Sequence, residues 1–287
     1  MTNTTMSAPF TEGDFRVGRV ISQSASVLTG NFPILFLIGV IAYLPIQLAA
    51  LWFTTLTQRG ALRAGDVSPA QVAIAALLFL FVMIVFSLFA QAVILHAAFQ
   101  NMRNQPVNIF ESLKVGLRRF FSLLLLGIVM GILMVLVFAA LSMTGAAVVG
   151  ISGYTTVATI AVAILAVVLG IATVAILYTM WFVAVAACVV ERRGPFAAMG
   201  RSKQLTKGHR WRIFGLILLL FLVSIIASVL IELVLRPAGG TILTFLVAVA
   251  WTAILGAYYA VSVAVSYHDL RVAKEGVDIE QIVAVFD

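Results

Sequence analysis

The sequence predicts an all-α fold: a polytopic membrane bundle of six transmembrane helices, arranged as three helical hairpins, each preceded by an interfacial amphipathic helix. Three observations predict it. Of 287 residues, 63% are hydrophobic and only 10% charged, and the mean hydropathy is +1.14; a soluble chain averages about 45–50% apolar and about 25% charged. Six stretches reach the ~20 apolar residues that a spanning helix needs. The basic residues gather on alternate connections. Eleven acids and eighteen bases cannot cover a soluble chain of this length. An ordinary cytosolic enzyme, a secreted disulfide scaffold and a disordered chain are thereby excluded.

The polar start, Met1 to Asp14, has no basic n-region and does not read as a cleavable signal peptide. Thr11-Glu12-Gly13-Asp14 resembles a capping box. After it, Val17, Val20, Ile21, Ser24, Val27 and Leu28 fall on one helical face, with Arg16, Arg19 and Gln23 elsewhere. The first span covers about residues 32–56 and contains Pro45, which removes a backbone hydrogen bond. The second covers 69–100. A second amphipathic helix follows, with Asn108 and Glu111 at cap spacing and Phe110, Leu113, Leu117 and Phe120 as its apolar face. The third span covers 120–143 and the fourth 155–190. No Asp, Glu, Lys or Arg occurs between Arg119 and Glu191, a run too long for one span, so the glycine-bearing segment 145–153 is read as a turn, with a re-entrant loop as the alternative. In the third amphipathic segment Pro195 suits a first helical turn and Gly208 a stop. Phe196, Met199 and Leu205 give it a weaker apolar face. Spans five and six cover 211–235 and 241–267. In the tail, Asp278 and Gln281 have capping-box spacing, and Ile279, Ile282, Val283 and Phe286 fall on one face.

Charge sets the expected orientation. The N-terminal segment, the connections after spans two and four, and the tail hold fifteen bases, against Arg59, Arg63 and Arg236 on the other side. By the positive-inside bias both termini are expected in the cytoplasm. The junctions at Met102–Pro106 and Glu191–Pro195 align at an offset of 89 residues, which suggests three copies of one unit: interfacial helix, short span, outer loop, long span. Residues 1–31 are then a cytoplasmic N-terminal segment, 32–268 the six-span domain and 269–287 a cytoplasmic tail.

Chemistry-bearing residues are few. The single cysteine, Cys188, lies in an apolar run and reads as a small packed residue. Ionisable groups inside spans are functional candidates by default. Glu232 precedes Arg236 by four residues, the favourable order for a helical ion pair at the interface. His96 has no acid near it in sequence. Gln47 and Gln91 suit interhelical hydrogen bonds, and Gly127 and Gly131 form a GxxxG pair that fits close packing within the chain as well as dimerisation. No metal-ligand cluster, phosphate loop or nucleophile motif is present, so no cofactor, metal site or catalytic residue is expected. The densest feature is residues 201–212, with Arg201, Lys203, Lys207, Arg210 and Arg212 as bases and Trp211 where a headgroup anchor would sit. It reads as a topogenic anchor and as a binding site for anionic lipid headgroups or an acidic partner.

Two stretches carry a family resemblance. Arg201-Ser202 through Leu205, Gly208 and Trp211-Arg212 is one. Tyr267-His268-Asp269-Leu270-Arg271, followed by Lys274-Glu275-Gly276-Val277-Asp278-Ile279-Glu280, is the other. Together they resemble the membrane domain found with some bacterial glycerophosphoryl diester phosphodiesterases and its stand-alone relatives. The resemblance implies an integral inner-membrane module. It does not carry over phosphodiesterase catalysis, which in fused members belongs to a separate soluble barrel. The charges of Asp269, Arg271, Lys274 and Glu275 can pair with one another or with the basic segment after span four, tying the tail under the bundle.

The expectation is a non-enzymatic membrane module that organises anionic lipids or a protein partner at the cytoplasmic face, with no nucleic-acid partner. The alternative is a transporter or lipid-translocating permease. A continuous path lined by Tyr43, Gln47, Ser87 and Gln91 would favour transport, and a dry packed centre would favour scaffolding.

Overall fold

A computed structural model describes residues 15–62, 68–103, 105–152 and 157–275. The expected caps at Thr11–Asp14 and the amphipathic tail helix at 278–286 lie outside the described residues. Among those described there is no strand.

Each of three successive units begins with a short helix. The first has α1 (Val17–Gly30), α2 (Phe32–Leu62) and α3 (Pro69–Met102). The second has α4 (Ile109–Arg118), α5 (Phe120–Ser152), α6 (Val157–Met180) and α7 (Ala184–Val190). The third has α8 (Pro195–Thr206) and α9 (Arg210–Glu275). Six segments of these helices are long and apolar enough to cross a membrane: Phe32–Gln58, Ala70–Met102, Phe120–Val137, Ile164–Val190, Arg210–Val234 and Ile242–Glu275. The protein is an integral, multi-pass membrane protein with an all-α bundle fold.

Local chemistry sets the short helices. The buried side of α1 holds Val20, Ser24, Val27 and Leu28, four of the residues that periodicity puts on one face. Asn108 caps α4 by accepting from the Phe110 and Glu111 amides. At the start of α3, Ser68 and Gln71 form a reciprocal capping box with Pro69 in the first turn. Pro195 likewise opens α8, and Gly208 follows its end with φ +91°, a conformation favouring glycine.

The structure differs from the sequence reading in several places. Helix α5 continues to Ser152, so residues 145–152 extend the helix and the chain passes to α6 between Ser152 and Val157. Span four is broken: α6 ends at Met180, Trp181–Val183 form a turn, and α7 resumes at Ala184. Spans five and six lie in one helical element, which runs past the expected end at 267 to Glu275. A straight helix of 66 residues would be about 100 Å long. Yet Glu275 pairs with Arg201, just before the element begins. The Lys274 ammonium stands 3.9 Å from where a Cβ on Gly208 would be. The two arms of α9 therefore run back along each other, and its helical backbone reverses between Val234 and Ile242. On α4, Phe110 and Leu117 are 83% and 59% exposed, while Ser112 and Gly116 are buried. Half of the expected apolar face, Phe110 and Leu117, thus points away from the protein, while Leu113 and Phe120 pack inward beside the buried Ser112 and Gly116.

Glycines mark the close approaches. A Cβ on Gly39 would stand 2.8 Å from the Ala253 carbonyl oxygen, which brings α2 and α9 together. A Cβ on Gly127 would overlap Leu88 of α3, so the GxxxG pair serves packing within the chain. Pro45 sits inside α2 without ending it.

Burial is uneven along the bundle. On α3, eight of the residues from Ala90 to Phe99 form buried core, whereas Ile74, Leu77, Leu78, Leu80 and Phe81 are exposed. On α9, Ile213 and Leu216 are buried and so are most residues from Ala257 to Leu270, while Phe221 to Val234 and Ile242 to Leu246 are largely exposed. All of α7 is buried, packed against α3, α5, α8 and α9. The bundle is tight at the end carrying the basic connections and splayed at the other.

Candidate functional site: a basic latch above an apolar cleft

At the tight end, the polar residues tie the three units together. Glu191 follows α7, where Arg192 adopts a left-handed φ of 52° and turns the chain. The Glu191 carboxylate accepts from Arg201 Nε at 2.7 Å and from the Tyr267 hydroxyl at 2.8 Å, both at Oε1. Arg193 Nε faces its other oxygen at 2.6 Å. Arg201 also pairs with Glu275, which holds Arg271 Nε at 3.1 Å. Asp269 reaches back to α1, its carboxylate 3.0 Å from an Arg19 guanidinium nitrogen and 3.5 Å from His268 Nδ1. Arg212 donates to the Phe15 carbonyl at 2.9 Å.

Burial works to raise the Glu191 carboxyl pKa. Hydrogen bonds from Arg201 and Tyr267, with the charges of Arg201 and Arg193, outweigh it and hold the group below its ordinary range. Burial likewise works to lower Arg201, and its bonds to Glu191 and Glu275 raise it above its ordinary value.

The structure sorts the residues singled out in sequence. Of the basic stretch, Arg201 belongs to the latch and Arg212 is bonded to the Phe15 carbonyl, whereas Lys203, Lys207 and Trp211 are exposed, Trp211 by 85%. Arg210 is half-buried beside them. Of the tail residues, Tyr267, Asp269, Arg271 and Glu275 all join the latch. Glu275 meets the basic segment after span four, while Asp269 meets the N-terminal helix and not Arg271. Lys274 is exposed beside the Gly208 turn. His96 Nδ1 lies 3.0 Å from the Ser112 hydroxyl, across the α3–α4 contact. Cys188 is fully buried. Glu232 is exposed, and the side chain of its expected partner Arg236 lies outside those described.

Below the latch, the broken span exposes the Met180 carbonyl. Ser202 Oγ donates to it at 2.9 Å and Thr206 Oγ1 at 3.4 Å, so α8 caps the end of α6. Backbone groups freed inside a membrane need such partners.

Beside this break lies a cleft of about 1250 Å³, larger than the ~300–1,000 Å³ of ordinary small-molecule pockets. Its walls are α6 from Ala166 to Thr179, the first arm of α9 from Phe214 to Ser228, and the second arm from Trp251 to Tyr259, with Ile21 and Tyr43 closing it. None of the lining residues is charged. Fourteen residues of α9 separate Phe214 from Ser228, so the cleft is about 20 Å long. Ile171 and Phe221 are 66% and 59% exposed, and the cleft is open at its side. The polar groups within it include the Trp251 indole N–H, which has no hydrogen-bond partner, and several hydroxyls: Tyr178 and Tyr259 lie 2.7 Å apart, and Tyr258 donates to the Ile21 carbonyl at 3.0 Å. The polar path considered from sequence is not assembled. Tyr43 lines the cleft, but Gln47 is bonded to Thr252 and the Ala248 carbonyl, and Ser87 to its own helix at Ile84.

Sequence reasoning missed Glu191, Tyr178, Tyr258 and Tyr259. The available signal for the tyrosines was their place well inside spans, away from the membrane interfaces where Tyr is enriched. For Glu191 it was being the first charge after a long uncharged run. Among the described residues, no three His, Cys, Asp or Glu side chains are grouped to hold a metal ion.

No curated protein and no solved structure matches this chain. One family model does, over residues 15–270, a span that begins at the Phe15 carbonyl bonded by Arg212 and includes both the Arg19–Asp269 and Glu191–Tyr267 contacts. By that match the chain belongs to the family described as Domain of unknown function (DUF7847).

Proposed function

We propose that the protein is a non-enzymatic lipid-binding module of a bacterial inner membrane, with both termini and the latch on the cytoplasmic side. The observation that carries this reading is the cleft: an uncharged groove about 20 Å long, walled by α6 and both arms of α9, suits a hydrocarbon chain. The cations beside its inner end supply the second element. Lys203, Lys207, Arg210 and Lys274 surround the turn that starts α9, and Phe214 of the cleft stacks edge-on against exposed Trp211 at 6.1 Å. Anionic headgroups gather there, each base contributing about 1 kcal/mol near an anionic surface. The resemblance of the 267–280 string to the glycerophosphoryl diester phosphodiesterase membrane domain belongs to this proposal and brings no phosphodiesterase chemistry with it.

A second reading, a lipid-translocating permease, is favoured by one observation: the cleft is longer than the ~15 Å of a single leaflet's hydrocarbon.

Native mass spectrometry of the protein extracted from membranes tests the leading reading. The wild type should retain lipid enriched in anionic headgroups. Lys203→Gln with Lys207→Gln and Arg210→Gln should lose that enrichment, and Ser224→Phe, which fills the cleft, should lower the number of lipids retained. Lipid retention unchanged by Ser224→Phe overturns the cleft as the lipid site. Permease activity would show as accelerated exchange of labelled lipid between liposome leaflets.

A further inference from the structure

We infer that the cleft's tyrosine hydroxyls receive the carbonyl oxygen of an uncharged lipid, bound alongside the anionic lipids gathered at the cleft's inner end; this rests on the cleft being a lipid site. Tyr43, Tyr178 and Tyr259 come from α2, α6 and the second arm of α9, and all three line the cavity. Tyr43 lies in the same cavity with its ring over Gly256, three residues before Tyr259. Its ring occupies the space that a side chain on Gly256 would take, which fixes it against α9.

The proton count defines the ligand. A phenol donates one proton and also accepts. In the Tyr178–Tyr259 pair, one hydroxyl donates to the other, and the second keeps its proton for a further acceptor. The Tyr43 hydroxyl has no hydrogen-bond partner among the described residues. Among the tyrosines two O–H donors are therefore left, in a groove that also holds the unpaired Trp251 indole N–H and the hydroxyls of Ser224, Ser228 and Thr252 and is otherwise walled by hydrocarbon, where unpaired polar groups are costly. A carbonyl oxygen has two lone pairs and satisfies both donors at once. A hydrocarbon chain satisfies neither.

Depth and charge set the rest of the chemistry. Tyr259 precedes Asp269 by ten residues, about 15 Å along the helix, which is half of a ~30 Å hydrocarbon core. Asp269 pairs with Arg19 in the latch, and the lining of the cleft holds no charge of its own. A phosphate or carboxylate at the tyrosines would stand unpaired in hydrocarbon. A long-chain ester and a quinone with an alkyl tail share the required group.

Equilibrium binding of tritiated methyl palmitate, decylubiquinone and hexadecane to the full chain purified in detergent tests this. The wild type should bind at least one carbonyl probe about tenfold more tightly than hexadecane. The tighter of the two carbonyl probes names the source. Tyr43→Phe with Tyr178→Phe and Tyr259→Phe should abolish the difference and leave hexadecane binding within about twofold. Tyr43→Phe alone, which removes one oxygen, should reduce the preference about threefold and serves if the triple variant does not fold. Equal binding of all three probes by the wild type, or a preference that survives the triple substitution, overturns the carbonyl site and leaves the cleft reading standing. Failure of every probe, hexadecane included, overturns the cleft reading and the carbonyl site with it.

Discussion

Glu191 holds two arginines and a tyrosine drawn from three parts of the chain, and its side chain is only 10% exposed. Replacing it with Gln removes the charge and keeps the shape. Glu191→Gln should lower stability by about 1–3 kcal/mol, read as an earlier thermal transition in detergent, because the donors of Arg201 and Arg193 lose their charged acceptor. The sign of the pH dependence follows from the direction of the shift. The folded carboxyl lies below its unfolded value, so its contribution is fully present above about pH 4.3 and is lost as pH falls through the depressed folded value. The stability difference between wild type and Glu191→Gln should be constant from pH 7 to about 5 and shrink below about 4.3. A difference that grows on acidification would contradict the latch. In sequence Glu191 marked only a junction, because the residues that surround it come from positions 193, 201 and 267. No local pattern joins them.

At the scale of single elements, hydropathy made the spans legible, and side-chain identity did not make their irregularities so. The six apolar runs stood out because each exceeds the bilayer requirement with few charges inside it. The break at Trp181–Val183 has no Pro or Gly to announce it. Its stabilising partners, Ser202 and Thr206, sit more than twenty residues later on a helix read mainly for its charges. Ser202→Ala with Thr206→Val leaves the Met180 carbonyl without its two side-chain donors. This double variant should cost about 1–3 kcal/mol and raise amide hydrogen exchange in residues 181–190. Exchange confined to α8, with 181–190 unchanged, would show that the capping does not hold the break. The amphipathic pattern of α4 was legible as a pattern, but not which face would pack. Ser112 and Gly116 take that role because a Cβ on Gly116 would approach Val93 to 2.7 Å, leaving no room for a larger residue.

Across the whole molecule, the first and last described segments are brought to one end of the bundle. Arg19 contacts Asp269, and Arg201 contacts Glu275. That arrangement requires an even number of crossings. Reporter fusions after Asp287 and in the connection between α2 and α3 should therefore report opposite sides, with the first cytoplasmic; the same side for both would break the six-span fold. The cleft was not legible at this scale. Composition fixes how many helices cross, whereas a groove depends on where they part, and in hydrocarbon apolar side chains gain little by touching one another rather than lipid. Helices held by ion pairs and small residues at one end are free to separate at the other. The tyrosines of α2, α6 and α9 meet at that parting.

The span of chain closed by the latch also sets an order of events during synthesis. Arg201 and Glu275 are 74 residues apart, and Arg19 and Asp269 are 250 apart. At roughly 5–20 residues per second, a ribosome that has just made Arg201 needs about 4–15 s more to deliver Glu275. Until then the Glu191 cluster lacks Tyr267, the second wall of α9 does not exist, and the groove has no far side. The tight end of the bundle can close only after Asp269 and Glu275 have been made. A chain stopped inside the last span would leave a half-assembled bundle in which Arg19 lacks Asp269 and Arg201 lacks Glu275, in a form that quality-control proteases can distinguish from the finished protein.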